Sequence, residues 1–204
     1  MQISTSNRLP IVACHLRKIN PKAQIITHVL DVHDNALDEI LANVDWMIVG
    51  TDNHASRLRA QQMSHTSFTP LITAGVNITV DQDGIQDMSG EIIVIRPGDH
   101  LCLECLQRIN HMKVAVERSS DTIAYTLVSR GYVEGRQIHE PAVKTLNACV
   151  ASLTVEQLLN QYTGRQEHIP ILVYENNRFP TIYPDTTSVE NRNLECFSCH
   201  LGNE

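Results

Sequence analysis

Four of the six cysteines stand in two pairs, Cys102-Leu-Glu-Cys105 and Cys196-Phe-Ser-Cys199. A two-residue spacer lets both sulfurs of a pair reach one ion, and two pairs supply the four thiolates of a tetrahedral zinc site. Such a site is structural, because it keeps no position for a catalytic water. The spacing predicts Zn²⁺ on Cys102, Cys105, Cys196 and Cys199. A redox Cys-x-x-Cys needs only one pair, so the second pair counts against that chemistry. Free thiols that merely lie close together are the plain alternative. His100 and His200 flank the pairs and can substitute as ligands, although four cysteines make this unnecessary. Cys14 and Cys149 fall within apolar helical patterns and are expected as small buried side chains.

A second group of residues centres on Asp52, just after the apolar run Val44-Asp-Trp-Met-Ile-Val49. That run reads as a strand buried on both faces. Ligands of open α/β sheets bind beyond the carboxyl ends of strands, so Asp52 points toward the expected crevice. A carboxylate there can hold Mg²⁺ together with phosphate oxygens. Asn53 can bond phosphate, and Arg57, one turn on, can pair with Asp52. Position alone favours a plainer role for Asp52 or Asn53, the N-cap of the next helix. Arg8 opens the first helix, where an anion would meet a positive helix end, but most arginines so placed are simply solvated.

The elements that must carry these residues alternate. Apolar spacing over Arg8–Ile19 predicts a helix, stopped at Asn20-Pro21. Ala23–Leu30 reads as a strand, Ala36–Leu41 as a short helix, Val44–Val49 as a strand, His54–Met63 as a helix and Pro70–Val76 as a buried strand. Such alternation is the pattern of βαβ units on a parallel sheet. The pattern then changes. Asn77–Val80 and Glu91–Arg96 read as antiparallel neighbours and Cys102–Ile109 as a short helix. Residues 110–140 read as a long loop with one helix at most. Pro141 opens a long helix to about Tyr162, apolar nearly all round, which predicts burial in a core or a subunit interface. Ile169–Tyr174 and Phe179–Tyr183 read as a hairpin joined at Asn176-Asn177. The whole is an α/β, Rossmann-like domain over residues 1–204, with a largely parallel sheet flanked by helices, some antiparallel strands and a four-cysteine zinc site.

The chain opens on a helix with no strand before it, and its nine glycines form no Gly-x-Gly-x-x-Gly and no Walker pattern. The expectation is a domain without its front. A net charge of −7, from 16 Lys and Arg against 23 Asp and Glu, disfavours a broad grip on nucleic acid. No apolar run approaches the roughly 20 residues that span a bilayer, and no signal-peptide core is present, so a soluble cytoplasmic protein is expected.

Taken in order, Ile19-Asn-Pro21, Val44–Asn53 ending in Gly-Thr-Asp-Asn, Pro70-Leu-Ile-Thr-Ala-Gly75, Cys102–Cys105, Pro141–Asn147 and Cys196–Cys199 resemble the later part of the E1-like adenylating family, the ThiF, MoeB and HesA proteins. The resemblance implies Mg-ATP-dependent adenylation of the C-terminal glycine of a ubiquitin-like or sulfur-carrier protein. It implies Asp52 as the catalytic, metal- and phosphate-binding residue, with Asn53, Arg57 and Arg8 around the nucleotide. Arg8 falls where the family has a lysine. The four cysteines would hold the structural zinc, and homodimers or pairing with an E1-like subunit are implied. The family's ATP loop lies upstream of the resemblance, so activity would be incomplete in these residues. The crossover loop, about 107–140, carries no cysteine, so adenylation without a covalent sulfur step is the expectation. The alternative is a non-catalytic, zinc-stapled binding module or a degenerate partner subunit.

Overall fold

The computed structural model describes residues 5–82, 84–119 and 143–200; the side chains of Thr5 to Arg8 and of His200 lie outside that description. Most of the crossover loop, and Pro141, therefore fall outside it too. In chain order the elements are α1 Thr5–Ile19, α2 Ala36–Leu41, β1 Met47–Val49, α3 His54–Ser67, β2 Leu71–Asp81, β3 Gly84–Ile95 and α4 His111–Glu117. Then follow α5 Lys144–Thr163, β4 Ile171–Asn176, β5 Pro180–Pro184, α6 Thr186–Glu190 and α7 Phe197–His200.

The five strands form one mixed sheet in the order β1-β2-β3-β4-β5. β1 runs parallel to β2, with Met47 opposite Leu71 and Val49 opposite Thr73, while β2–β3, β3–β4 and β4–β5 are antiparallel. Alternation along the strands splits the core in two. Leu71, Ile93, Ile95 and Ile171 face α3 and the cysteine turn, together with Met47, Leu58, Leu103 and Leu106. Ile72, Ile92, Val94 and Leu172 face the opposite way, onto Leu146 and Val150 of α5. The sheet is thus a layer between helices, the arrangement expected of an α/β domain. α5 approaches so closely that a Cβ on Gly90 would overlap the Val150 side chain.

Several expectations change. Ala23–Leu30 forms no strand: it has no regular structure and leaves Ile26 and Val29 exposed. A strand exists only in a ladder, and among the described residues this segment has no neighbour to pair with. The parallel part of the sheet is accordingly a single pair. Val44–Val49 shortens to Met47–Val49 and lies at a sheet edge, so Ile48 is half exposed and the run is not buried on both faces. Cys102–Ile109 is a series of turns, with left-handed backbone at Gln107 and, just before the segment, at His100. Cys14 and Cys149 are exposed, because each sits on the side of its helix away from the packed face. α5 likewise buries one face, leaving Val155, Leu159 and Tyr162 open. Asn77–Val80 is the continuation of the Leu71 strand and pairs with Ile85–Ser89, while Glu91–Ile95 pairs with Leu71–Gly75, because one long hairpin turns between Asp81 and Gly84. The hairpin of β4 and β5 and the Gly164 end of α5 form as expected. Among the described residues no helix is long and apolar enough to cross a membrane.

Candidate metal centre and strand-end crevice

The cysteines come together. The four Sγ atoms of Cys102, Cys105, Cys196 and Cys199 all lie within 4.8 Å of one another, and the first three residues are buried. Cys102 Sγ and Cys196 Sγ are 3.6 Å apart. A tetrahedral ion with bonds of about 2.3 Å requires sulfurs separated by about 3.8 Å. The donor set therefore fits a single metal ion, with soft thiolates in a closed cage. Within the first pair, the Cys102 N–H donates to Cys105 Sγ at 3.1 Å and the Cys105 N–H to Cys102 Sγ at 3.4 Å. Amide donors aimed at sulfur favour the thiolate. A hydrogen bond from Cys102 draws Cys105 down to about 6. Burial, and then the charge of Cys105, push Cys199 up to about 12. Crowded thiolates repel, and a divalent cation supplies the charge that lets all four ionise.

Distant parts of the chain hold this centre in place. Fully buried Gln61 of α3 accepts the Leu103 N–H at 2.5 Å and donates to Glu104 at 2.7 Å. Arg108 closes on Glu91 of β3 with Nε bonds of 3.0 Å to both carboxylate oxygens and an Nη2 bond of 2.7 Å. It also reaches Ser188 Oγ at 3.1 Å. The Glu91 carboxylate, foremost by hydrogen bonding, raises the guanidinium's pKa further above its already high value. Asp185 caps α6 through the Ser188 N–H, and the Asn193 N–H donates to the Cys105 carbonyl. His65 Nδ1 donates to the Ser198 carbonyl at 2.9 Å. These bonds bring the C-terminal pair to the turn after β3.

Asp52 lies at the carboxyl end of β1, exposed, in the bend before α3. The cap of α3 is Asn53, whose Oδ1 accepts the Ser56 N–H at 2.7 Å. The N-cap role thus falls to Asn53 and leaves the Asp52 carboxylate outside the cap. Among the described residues no ion pair joins Arg57 to Asp52; Arg57 Nε donates instead to the Thr51 carbonyl at 3.1 Å. Arg8 stands in the first part of α1, and its side chain is outside the described set. Glu117, at the end of α4, accepts the Ala55 N–H at 2.6 Å and the His54 N–H at 3.3 Å. A carboxylate at the positive end of a helix is a favourable placement.

The ThiF family model matches residues 4–199. The chain belongs to the ThiF family. Among solved structures it resembles E. coli MccB with ATP, at 15% identity and TM-score 0.62, over 98% of this chain and 57% of that one. MccB, the microcin C7 biosynthetic enzyme, in complex with N-formylated MccA aligns at 15% identity and TM-score 0.65, over 97% and 54%. PaaA aligns at 12% identity and TM-score 0.55, over 89% and 57%. At these identities the likeness establishes the ThiF fold, and this chain spans about half the length of those structures. No curated protein matches it by sequence.

Within this ThiF-family chain, sequence reasoning missed Glu117, Gln61 and the Arg108–Glu91–Asp185 network. Asp185 three residues before Ser188 is a readable cap signal. Glu117 and Gln61 carry no local signal, since their partners lie 62 and 42 positions away.

Proposed function

We propose that this chain serves ATP-dependent, E1-like adenylation of the C-terminal carboxyl of a ubiquitin-like or sulfur-carrier protein, and that the cysteine centre is a structural Zn²⁺ site. The observation that carries the reading is the Gly50-Thr-Asp-Asn53 element at the carboxyl end of a parallel strand, in a chain matched to the ThiF family over nearly its whole length. That E. coli MccB of the same fold is solved with ATP supports a nucleotide as the ligand. Asp52 offers an exposed carboxylate there, suited to Mg²⁺ held mainly by phosphate oxygens. Asn53 fixes the first turn of α3, and Arg57 stands beside it as a cation for the phosphates.

In the reaction a carboxylate oxygen of the carrier attacks the α-phosphorus of ATP. The bond from that phosphorus to the β-bridging oxygen breaks, pyrophosphate leaves, and an acyl adenylate remains. Positioning and charge stabilisation supply most of the acceleration. No cysteine lies in the crossover loop, and the reading therefore stops at the acyl adenylate. We infer also that the glycine-rich phosphate donors, absent from these 204 residues, come from another segment or chain. The exposed edge at Ile48 and the open apolar side of α1 support that inference.

The test is ATP–pyrophosphate exchange with a candidate carrier protein. The chain alone is expected to be weak or inactive. Adding an E1-like N-terminal segment should raise the rate, and Asp52→Ala in that assembly should lower it by on the order of 10²-fold. Equal rates for wild type and Asp52→Ala would leave the chain as a zinc-stapled binding module.

A further inference from the structure

Arg57 occupies a seat that only glycine leaves open. Its Nε bond to the Thr51 carbonyl is its one side-chain hydrogen bond among the described residues, so both terminal guanidinium nitrogens keep their donors. The guanidinium lies against Gly75 of β2, two residues beyond Thr73, the last partner of β1. A Cβ at Gly75 would stand 2.6 Å from Arg57 Nη2 and 3.4 Å from its Cζ. Any other residue there would displace the group. The backbone at Gly75 is not left-handed, so the strand itself accepts alanine. What alanine would meet is the far end of a flexible side chain.

The surroundings match a ligand that accepts hydrogen bonds. On the same Thr51 whose carbonyl holds Arg57, the hydroxyl oxygen is buried without a partner. The amides of His54 and Ala55 are occupied by Glu117, and that of Ser56 by Asn53. The start of α3 therefore has no free amide in those three positions for an anion, and the Arg57 guanidinium offers a cationic donor at this strand end. A guanidinium fork matches phosphate oxygens two at a time.

We propose that Gly75 is a positioning residue, whose missing side chain seats the Arg57 guanidinium beside the carboxyl end of β1, against the middle of β2, to grip the phosphates of a nucleotide. The proposal rests on the reading above that Mg-ATP binds beside Asp52, and it adds the element that aims the cation. Gly75 touches no ligand itself and acts only through Arg57.

The experiment is calorimetric titration of the full chain with Mg-ATP, comparing wild type, Gly75→Ala, Arg57→Ala, the double variant and Asp52→Ala. Gly75→Ala should weaken binding about tenfold, the loss of one charge-assisted hydrogen bond. Arg57→Ala should weaken it at least as much. Gly75→Ala added to Arg57→Ala should cost nothing more, because the two changes remove one interaction. Metal content and melting temperature of Gly75→Ala should match wild type. Wild-type affinity in Gly75→Ala, or losses that multiply in the double variant, would overturn the proposal. So would a Gly75→Ala chain that fails to fold, since the methyl would then meet more than the arginine. If Asp52→Ala abolishes binding while Gly75→Ala does not weaken it, this inference falls and the nucleotide reading stands. If wild type binds no Mg-ATP, this inference falls, while the nucleotide reading still answers to the exchange assay with the added segment.

Discussion

Cys14 is exposed while Cys102 is fully buried among three other sulfurs, and that contrast separates two substitutions of identical chemistry. Cys102→Ser removes a thiolate from the cage, whereas Cys14→Ser changes an exposed thiol. Purified Cys102→Ser is expected to lose its metal and to melt about 10 °C lower, with Cys14→Ser unchanged in both; elemental analysis and thermal melts check this. His54 carries a second expectation. Burial lowers its pKa from 6.5, outweighing the nearby Glu117 carboxylate, and its Nδ1 accepts the Asn110 N–H as a neutral ring does. The unfolded chain then binds the proton more readily. Stability linked to His54 is fully present above pH 6.5 and declines as pH falls below it. His54→Gln should flatten part of the fall in melting temperature on acidification toward about pH 5. An unchanged slope would show that other groups, such as His168, which burial also lowers, carry it.

At the scale of elements, the sheet meets α5 on one face and α3 on the other, and a glycine marks a close approach on each side. The consequences of adding a methyl differ because the opposing side chains differ. At Gly75 the neighbour is the end of an arginine, which swings aside. At Gly90 it is Val150, whose branched side chain has little rotamer freedom in a helix. Gly90→Ala should therefore push α5 away from β3, at about 1–3 kcal/mol, a melting temperature lower by roughly 3–10 °C. Val150→Ala in the same chain should recover part of the loss. Melts of the single and double variants decide it, and additive losses would place the strain elsewhere.

Across the whole molecule, the cysteine centre closes a long span of chain. It ties the segment after β5 to the turn after β3, and the Arg108–Glu91–Asp185 contacts clamp the same two regions. Chelation of the metal should therefore release the C-terminal region more than the sheet. Trypsin is expected to cut after Arg192 readily once the metal is removed and slowly before, as mass spectrometry of short digests would reveal. Equal cleavage in both states would mean that the clamp alone holds the region.

Features confined to a few neighbouring residues were legible in the sequence. The spacing inside each cysteine pair, the Asx cap before α3, the turn at Asn176-Asn177 and the helix stop at Gly164 depend on local backbone geometry. The tertiary structure decided the rest. Ala23–Leu30 has a strand's composition but no ladder, because pairing is settled by neighbours remote in the chain. Val44–Val49 reads as a central strand, yet it lies at an edge. The Glu117 carboxylate on α3 and the seat of Arg57 at Gly75 depend on where separate elements meet. Local pattern records what each segment can form; packing between distant segments selects which side chains end up aimed at the crevice and which are used in holding the fold together.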